Sequence, residues 1–229
     1  MEVIRFIVNP EEDIKNIIEC WDEGSFKNKD VSHILPLELY ELLKGQKPNI
    51  VRQIVTDYVE NYYKQNSQYI SKILKIATDT WQSLETEYIQ KLELLTGKSF
   101  KLNGITACAT LARRCPYNYK KRWFMFYLLA HPLQVNKICA HEIMHMHILN
   151  EFSEELEKLN SKDEFALLEA LTVLLNQIKL SDTILAPDKG YEPHKALRSK
   201  VTELWLEKKD FDVVLKDTIK VIQHNGSHK

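Results

Sequence analysis

Glycine and proline are scarce in this chain, six and seven among 229 residues. With no low-complexity segment and no internal repeat, that scarcity points to a compact chain rich in helix. Four cysteines (Cys20, Cys108, Cys115, Cys139) show no C-x-x-C spacing, which argues against a zinc ribbon and for buried free thiols in a reducing compartment, so the expected location is the cytoplasm. The net charge is only −1, against nucleic acid or anionic membrane as a main partner. No apolar run approaches the ~20 residues of a membrane-spanning helix. The segment from Met1 to Asp13 has no basic region before a long apolar stretch, so no secretory signal is expected. With 44% hydrophobic and 28% charged residues, the composition suits a soluble domain with a sizeable core.

Residues Val3 to Val8 form a short apolar run of strand type, followed by Asn9-Pro10-Glu11-Glu12, a helix start with an Asn cap and acids in the first turn. That helix is expected to end near Trp21, before the Asp22–Ser25 loop, with a second helix over Leu37 to Leu43. From Asn49 to Thr96 the pattern is almost wholly helical: Ile50, Ile54, Tyr58 and Tyr62 recur every four residues, a break falls near Asn66-Ser67, and Gly97 is a C-cap. Phe100 to Thr110 and Arg122 to Leu129 read as extended segments joined by a turn at Cys115–Tyr119. Further helices are expected from His141 to about Leu159, Glu164 to Lys179, Leu197 to Leu206 and Val213 to Ile222, with a loop over Ser181 to Pro193 and a disordered tail from Asn225 to Lys229.

The sharpest feature is Ala140-His141-Glu142-Ile143-Met144-His145, an H-E-x-x-H sequence among apolar neighbours. Histidines four apart project from one helix face, so both reach one metal ion. The intervening carboxylate sits beside that ion as a base rather than a ligand. The plain alternative is a core helix with hydrogen-bonded histidines. A catalytic zinc site needs a third protein ligand. Metzincin spacing would place Gly at 148 and His at 151, but the chain has Ile148 and Glu151. His147, two residues after His145, is turned by about 200° from it and reads as a supporting or surface histidine. Glu169 is the expected third ligand, a lone carboxylate in an apolar helical stretch, 24 residues after His145. Glu164 is its rival, at a position where the helix dipole alone stabilises an acid.

On these residues the chain resembles the gluzincins, zinc peptidases with two His on one helix and a Glu on the next. The resemblance runs from about Phe100 to Arg198 and rests on A-H-E-I-M-H and L-E-A-L-T. The stretch Gly190 to Arg198 is similar to the downstream region of uncharacterised bacterial members. The resemblance implies zinc ligands His141, His145 and Glu169 and a general base at Glu142. Many members carry Asp four residues after the ligand Glu, bonded to a ligand His. Here that position is Val173, so Thr172, Asn176 or a residue from elsewhere orients the histidine. Gluzincins often supply an oxyanion donor from downstream, which makes His194 the first candidate and Tyr191 the second. Arg198 is available to a substrate carboxylate, to Glu203 or to another acid.

The expected fold is α+β: a zincin-like core, mostly helical, with a small mixed sheet before the metal-binding helix. The chain is expected to divide into an N-terminal helical section, 1–96, and a metal-binding core with C-terminal helices, 97–224. The expected function is a Zn2+-dependent peptidase acting on a peptide or protein. The alternative is a non-catalytic zinc-binding interaction or regulatory module, which a fourth ligand from His147 or Glu151 would favour. A cysteine hydrolase built on Cys139 is the weakest reading, because the helix holds that residue away from His141.

Overall fold

The computed structural model describes residues 3–26, 30–180 and 185–226. The chain is α+β, mostly helical, with one small mixed sheet. Its order is β1 (Ile4–Val8), α1 (Pro10–Phe26), α2 (Leu37–Leu43), α3 (Pro48–Gln65), α4 (Ser67–Thr96), β2 (Ile105–Thr110), β3 (Tyr117–Asn118), β4 (Trp123–Tyr127), α5 (Pro132–Glu151), α6 (Ser153–Leu156), α7 (Ser161–Leu171), 3-10 turns at Thr172–Gln177 and Glu192–His194, α8 (Lys195–Lys208) and α9 (Phe211–Gly226). No helix among the described residues is long and apolar enough to cross a membrane. The expected tail falls partly in α9, and 227–229 lie outside the described residues, as do 181–184 of the expected loop.

The chain divides into two compact units. One comprises Met1–Thr80 with Asn103–Val135, the other Trp81–Leu102 with Asn136–Lys229. This differs from the expected split at residue 96, because α4 and α5 each contribute to both units.

The first unit holds the sheet, in the order β1-β2-β4-β3. β1 and β4 both run parallel to β2, with Ile4 opposite Ile105 and Thr106 opposite Trp123, while β3 is antiparallel to β4. The two extended segments are therefore not a hairpin. A link of about a dozen residues carries the chain back, as a parallel pair requires, and β3 forms within it. Nearly every side chain of β2 is buried, as befits an inner parallel strand. On α3 the buried stripe is Val51, Val55, Val59 and Tyr63, one position on from the expected Ile50, Ile54, Tyr58 and Tyr62. Both sets recur every four residues, and only packing chooses between them.

Several boundaries moved for local reasons. α1 continues past Trp21 to Phe26, since a single glycine costs a helix interior only about 1 kcal/mol. α5 starts at Pro132, where proline suits a first helical turn, and stops at Glu151 rather than Leu159. Phe152 leaves the helix to bury its ring against Phe211 at 5.2 Å. α7 tightens into 3-10 geometry after Leu171, where Thr172 Oγ1 and Arg198 Nη1 both donate to the Glu169 carbonyl, at 2.9 and 2.6 Å.

Asp13 ties three elements of the first unit together. Its carboxyl accepts from Thr110 Oγ1 at 2.5 Å, Tyr63 OH at 2.9 Å and Leu111 N at 3.2 Å. Burial outweighs these bonds and raises its pKa to about 6. The folded state thus favours the protonated acid. Its contribution is fully present below the unfolded pKa near 4 and is lost as pH rises through about 6, roughly 3 kcal/mol in all. Asp13→Asn is expected to flatten that slope, as read by urea unfolding between about pH 4 and pH 7. Equal slopes in variant and wild type would contradict this account.

Candidate metal centre

The second unit brings the two halves of the expected site together. α5 supplies His141 and His145 from one face, and Tyr88 OH anchors the preceding turn by donating to the Ala140 carbonyl at 2.6 Å. α7 begins at a cap made by Asn160 Oδ1, which accepts from the backbone of Lys162 and Asp163, and carries Glu169 about two and a half turns later. Ligand atoms of His141, His145 and Glu169 lie within 4.8 Å of one another. His141 Nε2 stands 3.7 Å from Glu169 Oε2, close to the ~3.4 Å between two atoms sharing one tetrahedral zinc.

Polar atoms around the cluster behave as a cation site requires. Glu169 Oε2 and Glu142 Oε2 are buried with no hydrogen-bond partner among the described residues. A buried carboxylate oxygen left so is costly by several kcal/mol, and a bound cation removes that cost. Glu142 Oε2 lies 3.8 Å from His145 Nδ1, beside the cluster. Two imidazoles and a carboxylate are a donor set that could hold a divalent metal ion.

His141 is oriented by Asp188. Its Nδ1 is 2.7 Å from Asp188 Oδ2. Arg198 Nη2 donates to Asp188 Oδ1 at 2.6 Å and to its carbonyl at 2.8 Å. Asn176 bonds the Asp188 backbone at both ends, accepting from its N at 2.9 Å and donating to its O at 3.0 Å. Burial alone would raise the Asp188 pKa, but His141 and Arg198 bring it down to about 2. An ionised carboxylate only accepts, so His141 keeps a proton on Nδ1, and Nε2, which faces Glu169, is the nitrogen that a bound cation would take in place of a proton.

The charges around the cluster favour a cation. Burial opposes protonation of His141, yet Asp188, Glu169 and Glu142 overcome it and raise its pKa to about 10. His145 is held well below the usual imidazole value by burial and by His141. Burial, with Glu169 and Asp188 adding to it against His141, raises Glu142 to about 7.

The remaining expectations fall out as follows. His147 is buried, neither a surface histidine nor part of the cluster. Its Nε2 is 2.9 Å from Thr96 Oγ1, its ring stacks on Phe100, and burial lowers its pKa to about 4. Glu151 pairs with Lys101 at 2.8 Å. Glu164 remains in the first turn of α7. Arg198 is buried on Asp188, not exposed to Glu203, which pairs with Lys200. Thr172 and Asn176 do not reach His141 but hold Asp188. His194 packs edge-on against Phe165, one helical turn before Glu169, while Tyr191 is 63% exposed. Cys139 is buried and its thiol is pushed well above the usual range by burial. Cys115 is half-buried, the other cysteines are buried, and no disulfide joins them.

Asp188 is the residue that sequence reasoning missed. Pro187-Asp188-Lys189-Gly190 reads as a turn, and an acid in a turn is ordinary. The available signal was a glycine and an arginine placed after it. Gly190 has φ +64, and a Cβ there would stand 2.5 Å from Arg198 Nε.

Asp188→Asn is expected to weaken metal binding about 10- to 100-fold, measured by competition with a chelating dye. Gly190→Ala should weaken it in the same direction by displacing Arg198. Unchanged affinity in both variants would show that His141 needs no such support. Comparisons with family models, with curated proteins and with solved structures gave no match.

Proposed function

We propose that this protein is a zinc-dependent peptidase of zincin-like architecture, with His141, His145 and Glu169 as ligands and Glu142 as general base. The observation that carries the reading is Glu142. Its Oε2 is buried, has no hydrogen-bond partner among the described residues, and lies beside the three-residue cluster without belonging to it. A purely structural site has no use for such a group.

Zinc, when bound, supplies a Lewis acid that acidifies water and polarises a carbonyl. His141 and His145 present neutral imidazoles, the former through the Asp188 bond that fixes its tautomer. Glu142 accepts a proton from the attacking water and delivers it to the leaving amine as the carbon–nitrogen bond breaks, so the carboxylate is regenerated each turnover. His194, against Phe165 on α7, is the first candidate to donate to the oxyanion, with Tyr191 second.

A closed, non-catalytic site would need a fourth protein ligand. The two residues that could furnish it are engaged elsewhere, His147 with Thr96 and Glu151 with Lys101, which favours the catalytic reading.

Glu142→Gln provides the test. Zinc content should stay near wild type while peptide cleavage falls at least about 100-fold, as loss of a general base predicts. Undiminished cleavage would remove Glu142 from the chemistry. Glu169→Ala should lower zinc content itself, by elemental analysis of protein purified without chelator.

A further inference from the structure

The net charge of −1 hides a segregation along the chain. No acid falls between Glu93 and Glu142, whereas eight Lys and Arg do, so all the other residues together carry −9. Asymmetry of this kind points to a charged partner. Most of the eight cations are committed or lie in the second unit. There Lys101 pairs with Glu151 at 2.8 Å and Lys98 lies over the Phe152 ring at 5.4 Å. In the first unit Arg114 pairs with Glu19 at 3.0 Å, and the Arg113 guanidinium lies over the Tyr127 ring at 5.4 Å. Three consecutive cations of the first unit remain: Lys120, Lys121 and Arg122.

These three form the tip of the hairpin between β3 and β4. Pairing of Tyr117 with Phe124 and of Asn118 with Trp123 holds its base. Asn118 Oδ1 accepts from Lys121 N at 3.0 Å, and Arg122 N closes the turn by donating to the Tyr119 carbonyl at 3.0 Å. Arg122 has φ +52, a left-handed conformation that glycine or asparagine adopts more readily. Its Nη1 donates to the carbonyl and to the side-chain oxygen of Asn103, at 3.2 and 3.1 Å. The guanidinium is therefore anchored by neutral groups and keeps its charge. All three side chains are exposed, and among the described residues none of them has an acid partner. The tip is a fixed cluster of uncommitted positive charge.

We propose that this hairpin tip docks an acidic segment of a protein substrate. The proposal rests on the peptidase reading above, which makes the partner a substrate, and adds a binding surface on the unit that does not carry the metal ligands. A run of acids supplies one carboxylate per residue on a chain that can follow the turn, so neighbouring acids meet neighbouring cations. A long polyanion such as a nucleic acid fits poorly, because the −9 carried by the other residues repels whatever extends beyond the tip. A membrane surface fits poorly too, since attachment there combines basic residues with exposed apolar ones. Among the described residues, no large hydrophobic side chain between Tyr117 and Leu128 is exposed. An exposed ion pair is worth up to about fivefold in affinity, so an acidic run on three cations gains at least about tenfold at low salt.

The first arm of the test uses metal-free full-length protein, so it does not depend on turnover. A fluorescent peptide with a run of glutamates, and its counterpart with glutamines, are titrated by anisotropy at about 50 mM salt. The acidic peptide is expected to bind at least about tenfold more tightly, and the preference should vanish at about 0.3 M salt. Lys120→Glu with Lys121→Glu reverses the charge of the tip, leaves Arg122 on Asn103, and should abolish the preference. The same two-charge change at the exposed Lys44 and Lys47 should cost less than about threefold. Equal binding of the two peptides, binding of neither, or equal loss in the two double variants overturns the proposal. Tighter binding of a short thymidine strand, or of phosphatidylserine vesicles, also overturns it, by giving the tip to nucleic acid or membrane.

The second arm compares zinc-loaded protein on one peptide library carrying the glutamate run and on the same library carrying glutamines. A lower KM for the acidic library at similar kcat, lost in the Lys120/Lys121 variant, supports the proposal, because docking remote from the reacting bond strengthens binding without changing the chemical step. Cleavage of both libraries at equal KM, without selective binding, overturns the docking site and leaves the peptidase reading standing. Selective binding with cleavage of neither library overturns the peptidase reading, and with it the partner's role as substrate, while supporting the tip as a dock for an acidic segment.

Discussion

Arg198 is the pivot of the candidate site. From α8 its guanidinium reaches the Glu169 carbonyl, Thr172 Oγ1, and both the carbonyl and the carboxylate of Asp188, all within 2.8 Å. One planar fork thereby fixes the end of α7, the start of the 3-10 turn and the loop that faces His141. A lysine has one point of charge and could not span those acceptors. A buried ion pair of this kind contributes little net stability once desolvation is counted, but losing one partner costs about 3–5 kcal/mol. Its role here is geometric. It holds Asp188 where His141 needs it, and the positive φ of Gly190 leaves room for it to do so.

Three carboxylates stand around His141, and hydrogen bonding separates their roles. The Asp188 carboxylate is engaged by Arg198, His141 and Thr172, so it stays ionised and serves as a fixed acceptor, while Asn176 holds its backbone. Glu169 Oε2 has no such partner and stands 3.7 Å from His141 Nε2, as the proposed ligand role requires. Glu142 Oε2 is equally buried, and burial with neighbouring negative charge raises its pKa to about 7, in the range that the proposed general base would use. Identical chemistry is sorted by environment alone.

The sheet unit shows the same economy of polar groups in a structural setting. Asp13 is as buried as Glu142, yet it accepts from Thr110, Tyr63 and Leu111. It links α1, α3 and the end of β2 instead of leaving an oxygen open. The contrast sets Glu142 Oε2 and Glu169 Oε2, buried beside the histidines without a hydrogen-bond partner, apart from the satisfied carboxylate of the sheet unit.

The local features of this protein were legible in its sequence. The four-residue spacing of His141 and His145 forces a shared helix face, and a single carboxylate in an apolar helix identified Glu169, because both follow from helical periodicity and the cost of buried charge. The Asn9 cap and the break at Asn66 were readable for the same reason, each depending on a few neighbouring residues. Choices between equivalent patterns were left to packing. Two stripes on α3 repeat every four residues, and contact with the rest of the unit buries the one through Val51 and leaves Ile50 exposed. The orienting acid was likewise undetermined: Asp188 lies 47 residues from His141, in a loop whose sequence specifies only a turn. Its role exists because Arg198, Asn176 and Gly190 close that loop onto α5, and such long-range closure leaves no period in the chain to read.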